Sequence, residues 1–288
     1  MYPAKFDYVA PKSLEEAVAV LGQEPEAKVL AGGHSLLPLM KLRLARPKLL
    51  VDIGRIPGLK GIELDDGQLV IGAMTTYREI QSADLVHRHV PVLAEAVAEV
   101  GDPQVRARGT LAGALAHADP AGDMPAIALA LGGSIEAVGP EGVRSIDVDE
   151  FFVDMLTTAL GEQEIVRAVR LRVPPAGSGA SYHKFDQPAS HYALAGVCAV
   201  VRLGADRTIA EARLGVTGIG PKAYRPIQVE QALHGRPAED GPVREAVAGV
   251  ADGIDVLGDI HASPEYRAHL ARVLARRAIL EAAARAAS

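Results

Sequence analysis

Two short glycine turns, far apart in the chain, constrain most strongly what this sequence can fold into. The first is Ala31-Gly32-Gly33-His34-Ser35, which follows the apolar segment Lys28-Val29-Leu30. The second is Thr110-Leu111-Ala112-Gly113-Ala114. Glycine permits positive φ angles and close approach of the backbone, so such turns can form concave anion sites from N–H groups alone. We therefore predict that both turns close on one diphosphate group.

Composition narrows the class of protein. The 288 residues are 49% apolar and 23% charged, which is ordinary for a globular chain and sufficient for one large or two medium domains. The net charge is −6, and the only concentration of basic residues is Arg272, Arg276 and Arg277, so a nucleic acid partner is not expected. Cys198 is the single cysteine, so any iron–sulfur centre must belong to another chain.

The N-terminal segment lacks the basic and apolar regions of a signal peptide. No apolar stretch approaches the roughly 20 residues that span a bilayer. These features predict a cytoplasmic protein without a transmembrane segment.

Local patterns predict the elements that carry the two turns. A capping box at Ser13–Glu16 begins an amphipathic helix that ends at Gly22. A strand at 28–31 then leads into the first turn, and Ser35 begins a short apolar helix. With a buried strand at 49–53, these elements predict a small subdomain that ends near residue 55.

The following section alternates strands and helices up to a clear composition break. A second capping box, Thr76–Glu79, begins a helix, and Pro91 begins another. Predicted strands lie at 68–73, 134–138, 143–146 and 164–173, and a short helix follows Asp123. The segment Pro174–Gly179 predicts the main domain boundary. Beyond it, strands near 182–185, 192–203 and 209–218 precede helices from about Pro226, Pro242 and Pro264, which indicates an α+β domain.

Other chemical interpretations fit the sequence less well. The P-loop and Rossmann glycine patterns are absent, and Leu37 stands where a serine-hydrolase elbow needs its second glycine. His117, Asp119 and Asp123 could suggest a metal cluster, but Pro120 and Gly122 interrupt the spacing. We expect instead that Asp123 caps a helix and that His117 is a hydrogen-bonding loop residue.

Tyr192 and Lys184 are the notable aromatic and cationic residues of the C-terminal part. Aromatic residues are only 4% of the chain, and Tyr192 stands just before a buried strand. It is either a stacking wall for a flat ring or a half-buried tyrosine whose hydroxyl lies in water.

With these motifs, the chain resembles the FAD-binding medium subunits of molybdenum hydroxylases, a family that includes aerobic carbon monoxide dehydrogenase and the flavin domain of xanthine dehydrogenase. The resemblance runs along the full length and is carried by residues 31–38 and by the run 102–123. It implies an α+β fold with a two-subdomain FAD-binding domain of the PCMH, vanillyl-alcohol-oxidase-like type at 1–175, with subdomains of about 1–55 and 56–175. A C-terminal domain of antiparallel sheet and helices, of the carbon monoxide dehydrogenase flavoprotein type, would follow at 180–288.

The resemblance also implies which residues contact the flavin, whereas no catalytic residue and no metal ligand is expected in this chain. Asp123 matches a polar contact to the flavin, Val166 and Lys184 match positions that line the isoalloxazine, and Tyr192 matches an aromatic that lies against the ring. The complete expected set is Val29, Leu30, Ala31, Gly32, Gly33, His34, Ser35, Leu36, Val100, Thr110, Leu111, Ala112, Gly113, Ala114, Asp123, Val166, Lys184 and Tyr192.

The second glycine turn departs from the family pattern, which reads Thr-x-Gly-Gly followed by Asn or a small residue. Here Ala112 replaces the first glycine, and Ala114 stands at the next position. An alanine can still offer its amide where φ is negative, but a position that needs positive φ would penalise its Cβ.

By resemblance, the function is electron transfer through FAD within a molybdenum hydroxylase complex. A large subunit with molybdopterin would oxidise the substrate, whether carbon monoxide, a purine, an aldehyde or another compound. A small subunit with two-iron two-sulfur clusters would pass electrons to the flavin, which delivers them to an external acceptor. The expected assembly is a dimer of heterotrimers in the cytoplasm, with peripheral attachment at the inner membrane left open. The alternatives are a flavin-free structural subunit of such a complex and a stand-alone flavin reductase.

Overall fold

The first part of the chain is a small parallel sheet with two short helices. The computed structural model describes residues 2–287. The first elements are β1 (Asp7–Val9), α1 (Leu14–Gln23), β2 (Ala27–Leu30), α2 (Leu36–Lys41) and β3 (Leu49–Asp52). The strand order is β1-β3-β2 with both pairings parallel. The Ser13 side chain caps α1 by accepting from the Glu16 N–H at 3.1 Å, and the helix buries Ala17, Val18 and Leu21.

A five-stranded antiparallel sheet and a layer of short helices form the second part. Its strand order is β4-β5-β10-β6-β7. The elements are β4 (Ile62–Asp65), β5 (Gln68–Gly72), α3 (Tyr77–Ser82), α4 (Asp84–His89), α5 (Pro91–Ala98), α6 (Pro103–Arg106), α7 (Leu111–His117), α8 (Asp123–Leu131), β6 (Gly133–Gly139), β7 (Gly142–Asp147), α9 (Val148–Phe151), β8 (Phe152–Asp154), β9 (Thr157–Thr158) and β10 (Ile165–Arg172). The predicted capping box at Thr76 and Glu79 is complete, and Val138 and Ile165 pack into the apolar core of the first part. The two parts therefore share buried surface.

The third part is a three-stranded antiparallel sheet covered by helices. It contains β11 (Ser178–Asp186), β12 (Ala193–Leu203), β13 (Ile209–Thr217), α10 (Ile227–Leu233), α11 (Asp240–Ala246), a 3₁₀ turn at Val247–Gly249 and α12 (Pro264–Ala286). Because side chains alternate along a strand, Val197, Ala199 and Val201 of β12 share one core with α12, whereas Cys198 and Val200 face the core of the second part. One face of the C-terminal sheet thus packs directly on the preceding domain, through α8.

The architecture confirms the predicted α+β class. Among residues 2–287, no helix combines the length and the apolar character that crossing a bilayer requires.

Candidate functional site

The first glycine turn joins the end of β2 to the start of α2. Gly33 has φ +81°, a conformation that a residue with a Cβ adopts only at a cost. Among the described residues, none accepts a hydrogen bond from the backbone N–H of Gly32, Gly33, His34 or Ser35. Ser35 and the two glycines are half-buried and His34 is exposed, so this row of amide donors lies at the surface of the turn.

Buried side chains on the core side contact the second glycine turn and fix its position. Thr110 caps α7, and its Oγ1 accepts the Gly113 N–H at 3.1 Å. The Tyr77 N–H donates to the Gly109 carbonyl at 2.8 Å, and the Tyr77 ring packs against Gly109. Ala112 and Ala114 lie within the helix and have no positive φ, so replacing glycine by alanine there causes no backbone strain.

The two turns lie against each other. A Cβ built on Gly32 would stand only 2.1 Å from the Arg108 carbonyl oxygen, so glycine is required for this approach. A Cβ at Gly113 would come within 3.9 Å of the Ala31 Cβ, which joins the turns at a second point. Two segments separated by more than 70 residues in the sequence thus form one surface.

Asp123 lies at the junction of the two domains. It is the first residue of α8, but Gly122 is the N-cap, and no side chain of the described residues caps this helix. The prediction that Asp123 is a capping residue was therefore wrong. Its carboxylate turns to the C-terminal sheet instead and accepts the Tyr182 hydroxyl at 2.5 Å and the Lys184 ammonium at 3.1 Å. Burial raises the pKa of Asp123, although Lys184 and Tyr182 oppose that effect.

Tyr192 lies close to this junction at the end of a tight loop. Burial and the nearby carboxylates of Asp119 and Asp123 raise the pKa of its hydroxyl. The side chain is nevertheless partly exposed, which leaves one part of the ring free for a ligand. The preceding residue, His191, has φ +58°, and its carbonyl accepts the Lys184 Nζ at 3.0 Å.

The remaining predicted residues fall into two groups. Val29, Leu30 and Leu36 flank the first turn and are half-buried, so they can contribute apolar surface beside it. Val166 is buried in the main core next to a β-bulge of β10, and half-buried Val100 packs against that core. These two valines therefore support the site from within more than they expose surface to a ligand.

The prediction that His117 is a hydrogen-bonding loop residue was wrong, because His117 is the last residue of α7. Its Nε2 lies 3.7 Å from Asp119 Oδ2, which is longer than a hydrogen bond, while Asp123 is engaged elsewhere. Within residues 2–287, no group of three or more His, Cys, Asp or Glu side chains is arranged to hold a metal ion.

Sequence reasoning missed Tyr77, Arg108 and Tyr182. Tyr182 could have been found, because residues 182 and 184 alternate onto the same face of a strand and therefore share their neighbours. Tyr77 and the Arg108 carbonyl contribute through packing contacts that no local pattern reveals.

Known proteins match this chain along almost its whole length. The chain is 39% identical to the carbon monoxide dehydrogenase medium chain of Hydrogenophaga pseudoflava, with both proteins covered completely. It is 38% identical to the nicotine 6-hydroxylase medium subunit of Paenarthrobacter nicotinovorans, over 96% of this chain and 97% of that protein.

Solved structures show the same fold. A carbon monoxide dehydrogenase from Hydrogenophaga pseudoflava that lacks the Mo-pyranopterin moiety of its cofactor superimposes with a TM-score of 0.96 at 40% identity, over 99% of each chain. Quinoline 2-oxidoreductase from Pseudomonas putida 86 gives a TM-score of 0.94 at 32% identity, over the full length of both chains.

Two protein-family models match almost the whole chain. Residues 4–175 match the FAD binding domain in molybdopterin dehydrogenase, and residues 180–282 match the CO dehydrogenase flavoprotein C-terminal domain. The resemblance and the FAD cofactor expected from the sequence are thereby confirmed. This chain belongs to the family of FAD-binding subunits of molybdopterin dehydrogenases, with the CO dehydrogenase type of C-terminal domain.

Proposed function

We propose that this chain is the FAD-binding electron-transfer subunit of a molybdenum hydroxylase complex and that its two glycine turns hold the FAD diphosphate. The amides of residues 32–35 carry this proposal. They have no acceptor in the part of the chain that the structure describes, and such a row of N–H groups suits an anionic oxygen-rich group. Bound FAD supplies the redox chemistry, and the chain binds and orients it.

The residues expected from the sequence lie in two regions of the proposed FAD site. Ala31 to Leu36 and Thr110 to Ala114 form the diphosphate side, flanked by Val29 and Leu30. The junction of the two domains forms the ring side, with Tyr192 as the aromatic surface. Asp123 and Lys184 meet at that junction, and Val100 and Val166 support it from the core.

The hydrogen bonds of Lys184 indicate a role different from the contact with the isoalloxazine that the resemblance implies. Its ammonium donates to the Asp123 carboxylate, to the Glu99 carbonyl at 2.7 Å and to the His191 carbonyl. Three bonds use all three donors of an ammonium group. We therefore assign Lys184 to holding the Tyr192 loop, rather than to presenting a free charge to the isoalloxazine.

The same proposal includes the partners and the domain limits. Relatives named as medium chains or medium subunits belong to complexes with other subunits. We propose a small subunit with two-iron two-sulfur clusters as electron donor, a large subunit with molybdopterin, an external acceptor and a dimer of heterotrimers in the cytoplasm. We also retain 1–175 and 180–288 as the two domains, with a subdomain limit near residue 55.

Relatives carry names with different substrates, among them carbon monoxide, nicotine, glyceraldehyde and caffeine. This spread is expected if the substrate is bound by another subunit of the complex. A flavin-free structural subunit would be favoured if the Ala112 and Ala114 replacements distorted the second glycine turn. Both alanines lie in α7 without strain, so they give that alternative no support.

The test is to titrate purified full-length chain with FAD and to follow absorbance and protein-bound flavin fluorescence. We expect one FAD per chain, and no oxidation of NADH or NADPH by the isolated flavoprotein. A colourless protein that ignores added FAD would overturn the proposal in favour of a structural subunit. Rapid turnover of a nicotinamide cofactor by the isolated chain would favour a stand-alone flavin reductase.

A further inference from the structure

A cavity lies between the two domains, at the opposite end of α8 from Asp123. It measures about 110 Å³ and is bounded by the last residues of α8, by the linker Pro174–Pro175 and by the start of the C-terminal sheet. Since one water takes about 30 Å³ in the liquid, the cavity has room for an ion of several heavy atoms.

The register of the C-terminal sheet brings polar groups together on the wall of this cavity. Ser178 of β11 pairs with Arg202 of β12, which pairs with Glu211 of β13. Val200 pairs with Arg213 two residues further along, so all five side chains belong to the same face of the sheet. That face is the one turned toward the FAD-binding domain.

Two hydrogen-bond donors in this wall are buried and have no partner within residues 2–287. Among the described residues, nothing accepts from Ser178 Oγ or from Arg213 Nε, although both atoms are shielded from solvent. Arg213 is otherwise well placed, because its Nη2 donates to the Leu129 carbonyl at 2.9 Å and to Asp149 at 3.0 Å. A buried donor without an acceptor costs folding free energy. An acceptor bound in the cavity would form hydrogen bonds with both groups and remove that cost.

The charge of the lining is also positive. Arg172, Arg202 and Arg213 all line the cavity, whereas Glu211 is the single acidic side chain among the described lining residues. Arg202 and Glu211 approach each other at 3.3 Å. The carboxylates opposite Arg172 and Arg213, at 4.0 and 3.0 Å, belong to residues outside the lining.

We propose that this cavity binds a small tetrahedral oxyanion of the phosphate or sulfate class. Ser178 Oγ and Arg213 Nε donate to its oxygens, and Arg172 and Arg202 supply compensating charge. Arg172 belongs to β10 of the first domain and the other three residues to the C-terminal sheet, so the anion links the two domains. This site is separate from the glycine turns and does not depend on FAD.

The first experiment measures thermal unfolding of the full chain in sodium phosphate, sodium sulfate and sodium chloride at equal ionic strength. A ligand that binds only the folded state raises the unfolding temperature, and above Kd the rise grows with the logarithm of the ligand concentration. We expect phosphate and sulfate to raise it above chloride in the wild type. The increase should be lost in Ser178→Ala and Arg202→Gln and kept in Arg88→Gln, which removes an arginine from an exposed ion pair elsewhere.

Crystals grown with sodium selenate provide an independent measurement on the unaltered chain. The selenium anomalous signal should lie in the cavity, between Ser178 and Arg213. Water alone in the cavity, or an equal response to phosphate in all variants, would overturn the proposal. The wild-type crystal decides the question even if a cavity variant does not fold.

Discussion

Lys184 Nζ lies 3.1 Å from Asp123 Oδ1, and the two side chains are only 2% and 7% exposed. This ion pair joins the start of α8 to β11 and so connects the two domains at the point where the flavin ring is proposed to lie. The same ammonium holds the carbonyl of His191, the residue before Tyr192. The pair therefore links domain packing to the position of the proposed stacking residue.

Breaking this buried pair should be strongly destabilising. Lys184→Met leaves the Asp123 carboxylate buried with the Tyr182 hydroxyl as its remaining side-chain donor, and losing one partner of a buried pair typically costs about 3–5 kcal/mol. Urea unfolding of the full chain measures the loss. Arg88→Met, which breaks the exposed pair with Asp84, is the matched control and should change stability far less. Equal losses in the two variants would contradict the assigned role.

The pH dependence of stability should report on Asp123. Burial raises its pKa in the folded chain above the ordinary value of 3.8. The folded state then binds this proton more tightly than the unfolded state does. The stability that protonated Asp123 contributes is therefore complete below pH 3.8 and is lost as the pH rises through the folded-state pKa. The unfolding free energy of the wild type relative to Asp123→Asn should therefore fall as pH increases from about 4. Parallel pH profiles for the two proteins would argue against a raised pKa.

Gly33→Ala should weaken FAD binding through its backbone. A left-handed conformation costs a non-glycine residue about 1–2 kcal/mol, and a Cβ here would also lie 2.9 Å from Leu37 Cδ1. If the turn moves to relieve this strain, its amides lose their alignment and the Kd for FAD should rise roughly tenfold. Fluorescence titration of the apoprotein gives that Kd.

Gly58→Ala is the control for this experiment, because Gly58 has φ +78° and nothing within 4 Å of its added Cβ. It imposes the same kind of backbone strain away from both glycine turns. We expect a comparable loss of stability with unchanged FAD affinity. A similar rise in Kd for both variants would indicate a general effect of strain and not a diphosphate contact.

Tyr192→Ala should alter the environment of the flavin ring. Aromatic stacking contributes about 0.5–1.5 kcal/mol, so the Kd for FAD should rise about two- to tenfold. The bound flavin should also become more fluorescent as a quenching ring is removed. Tyr266→Ala is the matched control, since Tyr266 has the same 43% exposure and packs edge-on against Phe185. Unchanged flavin fluorescence in Tyr192→Ala would remove the stacking role.

Local signals in the sequence were sufficient for the longer elements. The predicted strand at 209–218 appears as Ile209–Thr217, and the helix predicted from Pro264 runs to Ala286. The Thr76–Glu79 capping box forms as expected, because its hydrogen bonds depend only on residues three apart. The elements that were not predicted are β1, β4, the β8–β9 pair, α4, α6, α9 and the helix α7, which forms where only a glycine turn was expected. They have two to seven residues and show too few turns or alternations to give a periodic pattern.

The sequence by itself thus determined the position of the glycine turns, the α+β class and the family resemblance, since these depend on residue type and short-range spacing. Tertiary structure decided that Gly32 packs on the Arg108 carbonyl and that Asp123 pairs with Lys184 instead of capping α8. It also decided that Ala112 lies in α7, where alanine causes no backbone strain. These relationships join residues remote in sequence or depend on a backbone angle, and both are set by the packing of whole elements.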